Sequence, residues 1–233
     1  AMIGLKQCTE AANRLEALAE KTKQTAEVKS GLLAHAAQAW ILANNNSRAE
    51  AVLTAAIILT PWNVDLLIDR AQSRAGQRNY NGAIEDLNKA IENGSRPADA
   101  FVFRAAAYRL LDKLELALAD IERALAFRPD HPDGLLERGI LRRMRNNDDG
   151  ARQDWLNIIR LAPKSTAADV ARRIVARAAQ GYLGKDIIIQ NISGQGGNKG
   201  AKVAKAAKPN GCTIFAGHDS MHPSYVQGRG NFS

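Results

Sequence analysis

Three arginines and three aspartates recur in this sequence at matching intervals. Arg70, Arg104 and Arg138 stand 34 residues apart, Asp86, Asp120 and Asp154 do the same, and each arginine precedes its aspartate by 16. A guanidinium and a carboxylate brought together can form a bidentate, charge-assisted pair. One period earlier both members are absent together, with Ala36 and Val52 in their places. Joint presence and joint absence point to ion pairs that brace the two helices of a repeat, or neighbouring repeats. The competing reading is a ladder of arginines that binds an acidic partner.

Two further groupings invite a chemical reading. His218 and His222, with Asp219 between them, have the i,i+4 spacing that places two metal ligands on one helix face. Pro223 and the glycines around them argue for a loop instead, and no further ligand is near, so no metal is expected. Gly196, Gly197 and Asn198 lie in the stretch GQGGNKG, where backbone amides at a helix N-terminus could cradle an anion. The stretch is not a GxGxxG fingerprint, because Lys199 stands where the third glycine belongs, and it is not a P-loop. Cys8 and Cys212 are far apart and fit no CxxC or Cys/His ligand spacing; they read as small apolar fillers. No motif places a Ser/His/Asp or Cys/His constellation, so a non-enzymatic protein without a cofactor is expected.

The elements that must hold these side chains repeat with the same period. Ala49, Ala83, Ala117 and Ala151 are spaced 34 apart, the signature of a helix–turn–helix array. The period divides the chain into four blocks: 30–63, 64–97, 98–131 and 132–165. At block position 8 stand Ala37, Ala71, Ala105 and Gly139, and at position 27 Ala56, Ala90 and Ala124, with Ile158 last. Small residues here let two helices cross closely. Larger ones fill the seam: Leu33, Leu67, Phe101 and Leu135 at position 4, and Leu53, Leu87, Ile121 and Trp155 at position 24. Pro61, Pro129 and Pro163 at position 32 end the second helix of their blocks, because a proline ring cannot continue the hydrogen-bond ladder.

With that small–small–small–Pro pattern, residues 30–165 resemble a tetratricopeptide repeat (TPR) protein. They depart from the family at position 15, where glycine is usual and Asn44, Arg78, Asp112 and Asn146 stand; turns of a different shape are therefore expected. The resemblance implies an α-solenoid whose first helices line a concave ligand-binding face. On it the partner-facing candidates are Asp65, Ile68, Gln72, Asp99, Val102, Arg109, Asp133, Leu136 and Arg143. Asp and aliphatic residues stand where co-chaperones of this family carry the Lys and Asn that clamp a peptide carboxylate, so that role is disfavoured. The aliphatics at position 5 have an equal claim to pack between repeats.

Residues 1–29 are expected to form an N-terminal capping helix, or half of a worn repeat, over about 5–27 and capped by Thr9. Residues 166–184 read as a C-terminal capping helix, capped by Ser165 or Thr166. Residues 185–233 change character. A β-branched run from Asp186 to Ile192, the glycine loop, an alanine-rich helix from Lys199 to Lys208 and a second run from Cys212 to Ala216 make a small β–Gly loop–α–β appendage. The fold class is thus mostly α, with a small C-terminal α/β unit. Gly196, Gly197, Asn198, Gly200 and Ala201, with Pro209, Gly211, Thr213, Gly217 and Pro223 after them, resemble the tripartite tricarboxylate transporter substrate-receptor (Bug) family. That resemblance covers a short part of a longer two-lobed domain and implies carboxylate binding by the loop amides.

Charge is distributed unevenly. Residues 166–233 hold nine Lys/Arg against three Asp/Glu, whereas the rest hold 23 against 21. The basic tail lacks the interleaved aromatics that stack on bases, so nucleic acid is not the expected partner. No apolar run is long enough to span a membrane. The start lacks a signal-peptide pattern, yet Ala1 ahead of Met2 leaves the natural start open. The compartment is cytoplasmic if Met2 begins the chain and periplasmic if a leader has been removed. The expected function is protein or peptide binding through the repeat groove; the alternative is transport-associated binding of a small carboxylate by the Gly196–Asn198 loop.

Overall fold

The computed structural model describes residues 2–94 and 97–183, and there the chain is entirely helix and turn. The strand–glycine-loop–helix reading, with the loop Gly196–Asn198 and the His218/His222 pair, lies outside the described residues. So does Cys212, while Cys8 is a half-buried free thiol. The chain divides into two units, residues 1–161 and 162–233.

The first unit holds nine described helices: α1 Met2–Lys21, α2 Ala26–Leu42, α3 Asn46–Leu59, α4 Val64–Gly76, α5 Tyr80–Asn93, α6 Pro97–Leu110, α7 Leu114–Phe127, α8 Pro132–Met144 and α9 Asp148–Leu161. They pair as antiparallel hairpins, α2 with α3, α4 with α5, α6 with α7 and α8 with α9. Each hairpin packs on the next, and α1 packs on α2. The alanines at positions 8, 20 and 27 are essentially buried, as are the larger residues at positions 4 and 24. Small side chains where helices cross and large ones beside the crossing are what close packing of these hairpins requires. Helices α3, α7 and α9 each stop two residues before Pro61, Pro129 and Pro163, because the residue preceding a proline is driven out of the helical region.

Every hairpin turns the same way. Asn44, Arg78, Asp112 and Asn146 adopt φ of 59°, 63°, 58° and 60°, the left-handed conformation that glycine would supply without strain. The turns therefore keep the shape that glycine favours, contrary to the expectation from its absence. Each left-handed residue succeeds a helix end closed by paired backbone bonds; Asn44 N–H donates to Ile41 and Asn45 N–H to Trp40, and the same two bonds recur at 78–79, 112–113 and 146–147. This is a Schellman closure. Its last residue also starts the next helix: the side-chain oxygens of Asn45, Asn79 and Asn147 accept from the N–H of Arg48, Gly82 and Gly150. Lys113, at the fourth such place, caps with no side-chain bond.

The N-terminal expectation needs two corrections. The helix does not run on to residue 27: α1 ends at Lys21, and α2 begins at Ala26 under the Thr25 N-cap. Thr9 is not a cap but lies inside α1, its hydroxyl donating back to the Leu5 carbonyl, the alternative use of a helical threonine. Helix α1 also shares the register of the hairpins. Glu16 accepts from the Trp40 indole, 24 residues on, as Glu50 accepts from Arg74, also 24 on.

In the second unit, α10 spans Thr166–Leu183, and Ser165 Oγ accepts from Ala168 N–H at 3.0 Å. Ser165, not Thr166, is thus the cap.

Candidate partner-binding face

The recurrent arginines and aspartates pair within each hairpin. Arg70 meets Asp86 through Nε at 2.9 Å and Nη2 at 2.7 Å, Arg104 meets Asp120 at 2.7 and 2.8 Å, and Arg138 meets Asp154 at 3.0 and 2.6 Å. The aspartates are buried, so each carboxylate depends on its guanidinium for solvation. Two of the arginines also reach 16 residues backward, Arg70 to Thr54 and Arg104 to Asn88, and so tie one hairpin to the one before. The reading of a brace thus holds both within and between repeats. A free arginine ladder does not exist, because the guanidinium groups are consumed in the packing.

The hairpins differ in what supports the brace. Arg74 adds a contact to Asp86 at 3.0 Å and Arg142 one to Asp154 at 2.8 Å. Between them, Tyr108 takes the equivalent place, and Arg104 lies over its ring and that of Phe101. Burial would raise the Glu50 carboxyl, but hydrogen bonds from Arg74 and Gln77 outweigh it and hold the group below the usual range. In the α2–α3 hairpin, where Ala36 and Val52 replace the ion pair, Ser30 and Thr60 join their hydroxyls at 2.6 Å.

The sequence-predicted face residues fall into three sets. Asp65, Gln72, Asp133 and Arg143 are exposed, and Leu136 is half-buried. Ile68 and Val102 are each only 5% exposed, so they fill the seam between repeats and offer a ligand little surface. Asp99 and Arg109 are half-buried and engaged. Arg109 forms an ion pair with buried Glu137 between α6 and α8. Asp99 accepts from Arg128 and lies 2.9 Å from His131 Nε2. His131 caps α8, its Nδ1 accepting from Gly134 N–H, which leaves the proton on Nε2 to be donated to Asp99. Burial, and then the Arg128 charge, push its pKa below the ordinary histidine value, with Asp99 opposing.

Along α4, α6 and α8 this face is polarised. Asp65, Asp99 and Asp133 lie in the first turns, and Arg74, Arg109 and Arg142–Arg143 in the last. These charges complement the helix dipoles, and they give the face an acidic edge and a basic edge.

A cleft that the sequence did not single out opens at the acidic edge. It has a volume of about 450 Å³, and its walls include Glu27, Gly31, Trp62, Asn63, Asp65 and Asn93. Trp62 is 68% exposed. The available signal was Gly31 itself, a glycine inside a helix where the later blocks carry aspartate. Among the described residues no group of three His, Cys, Asp or Glu side chains is set to hold a metal, and no helix is long and apolar enough to cross a membrane.

No protein-family model matches the chain, so the tricarboxylate-receptor resemblance has no support there, and no curated protein matches it significantly. Solved structures do resemble it. A chain of the APC/C hetero-tetramer Cut9–Hcn1 matches with a TM-score of 0.62 at 16% identity, over 77% of this chain and 36% of that one. MamA (41-end) from Desulfovibrio magneticus RS-1 matches at 0.55 and 16%, over 68% and 88%. A MamA RS-1 double mutant matches at 0.54 and 17%, over 66% and 84%. At such identities the likeness is one of fold: the first unit is a TPR-type α-solenoid.

Proposed function

We propose that this TPR-fold chain is a non-enzymatic scaffold that binds a protein or peptide segment across the first helices of its repeats. The observation that carries the reading is the polarised face of α4, α6 and α8, where Gln72, Asp133, Leu136 and Arg143 remain open to solvent or partly so while the neighbouring arginines are consumed in packing. An extended or helical segment with an apolar stripe and charges of opposite sign on its two sides complements such a face. Charge on the rims governs selection and encounter rate, and the apolar contact governs residence.

The test is to select binders to the full chain from a random-peptide library and measure their affinity for variants of two faces. Gln72→Arg, Leu136→Lys and Arg143→Glu should each weaken binding about tenfold or more, the equivalent of 1.4 kcal/mol. Ile58→Lys and Leu156→Lys, on second helices, should leave it unchanged. Loss in the second set with none in the first overturns the proposal.

A further inference from the structure

Gly31 sits inside α2 with nothing within 4 Å of where a Cβ would stand. A glycine in a helix interior weakens the helix relative to alanine, and neither a turn nor a close approach requires it here. What its missing side chain does is leave the cleft beside it open. At the same block position the later hairpins carry Asp65, Asp99 and Asp133.

The chain shows how the corresponding place is filled two repeats later. There Asp99 holds the Arg128 guanidinium at 2.9 Å and His131 beside it. The residues equivalent to Arg128 and His131 at the first junction are Thr60 and Asn63, so the protein supplies no cation from those positions. The acid is still present: Glu27 stands one helical turn before Gly31 and lines the cleft. Hydrogen bonds from its own backbone N–H and from Thr25 hold its pKa below the usual carboxylate range. Asp65 makes interactions of its own and contributes charge. Trp62, largely exposed, lines the same cleft, and an indole is the best aromatic partner for a cation. The later blocks have Arg96, Asp130 and Lys164 at its position, so the combination occurs once.

We infer that the cleft between Glu27, Gly31 and Trp62 takes the side chain of an arginine or lysine from the bound polypeptide, in the place that Arg128 occupies beside Asp99. The ammonium or guanidinium stacks on the indole and pairs with Glu27, and Gly31 is the residue that admits it. The volume of about 450 Å³ lies within the usual span of ligand pockets, roughly 300–1,000 Å³. This rests on the proposed partner-binding face and specifies one feature of its ligand.

The experiment compares library binders selected on the full chain with their response to Gly31→Met and Glu27→Gln. Met at position 31 extends into the cleft from a site where its Cβ meets nothing, so a melting temperature at or above that of the parent verifies that folding is intact. Binders should share one Arg or Lys at a fixed position. Replacing it by citrulline or norleucine should weaken binding at least tenfold, as should either protein variant, and the loss should not compound when both changes are combined. Fluorescence of Trp62 should shift on binding, since Trp40 and Trp155 are buried. Binders that respond to Gln72→Arg and Arg143→Glu but carry no fixed basic residue, or ignore Gly31→Met, overturn the cleft alone. Binders that lose affinity in Gly31→Met but not in the face variants keep the cleft and overturn the wider face. Recovery of no binder overturns both.

Discussion

Gly139 lies flat against the indole of Trp155: a Cβ at position 139 would stand 2.3 Å from Nε1 and 2.9 Å from Cδ1. At the same block positions the first two hairpins carry Ala37 with Leu53 and Ala71 with Leu87, all buried. The fourth has moved volume from the first helix to the second, and it leaves the Trp155 Nε1 buried with no acceptor. Gly139→Ala should therefore destabilise the protein by about 1–3 kcal/mol through overpacking. Adding Trp155→Leu should recover most of that loss, because it restores the pairing of the earlier hairpins. Urea denaturation of the two singles and the double decides it; strictly additive losses would show that the residues do not share the crossing.

The Arg104–Asp120 brace should behave as one unit. Asp120→Ala leaves a half-buried guanidinium and Arg104→Ala a buried carboxylate, and each should cost about 3–5 kcal/mol. The double substitution Arg104→Ala/Asp120→Val copies the Ala36/Val52 arrangement of the first hairpin and should cost less than either single. If the double equals the sum of the singles, the pair is not the brace described.

The left-handed turn residues offer stabilisation at known places. Arg78, at φ 63°, has a side chain that disfavours this region, with a strain of about 1–2 kcal/mol. Arg78→Gly should raise stability by roughly 1 kcal/mol after the greater entropy of glycine in the unfolded chain is subtracted. Lys113→Asn should add a similar amount by supplying the missing N-cap of α7. A fall in melting temperature for Arg78→Gly would mean that its side chain has a role the turn geometry does not reveal.

His131 should make the α6–α8 junction sensitive to acid. Burial, and then the Arg128 charge, favour its neutral form over the opposing pull of Asp99, so its folded pKa lies below its unfolded value of about 6.5. Between the two values the unfolded chain binds a proton that the folded one excludes. Stability is then full above about pH 6.5, declines as the pH falls through that value, and stops declining from this cause below the folded pKa. Thermal melts over roughly pH 5 to 7.5 should show the decline, and His131→Asn, which retains an N-cap, should flatten it. An equal decline in the variant would show that His131 is not its source.

What could be read from the sequence was whatever the period carries. Ala49, Ala83, Ala117 and Ala151 report a crossing that tolerates only small residues, and the joint absence of charge at Ala36 and Val52 reports a pair. Features outside the period were hidden. The Arg109–Glu137 contact spans 28 residues, so nothing at 34-residue spacing announces it, and Arg109 looked like a free ligand-facing cation. The break between α1 and α2 has no glycine or proline and rests on the Thr25 cap. The turns at position 15 misled because residue type there suggested a change that the backbone bonds of the Schellman closure do not permit. The cleft at Gly31 depends on an empty volume, which a letter code shows only as a residue that is too small.

Each brace arginine reaches 16 residues forward to its aspartate, and Arg70 and Arg104 reach 16 back. A bond of that reach carries mechanical load within one hairpin or across one junction and no farther. Stretched from residues 2 and 161, the first unit should therefore lengthen in discrete steps rather than in a single rupture. Each step would release 34 residues, about 115 Å of contour.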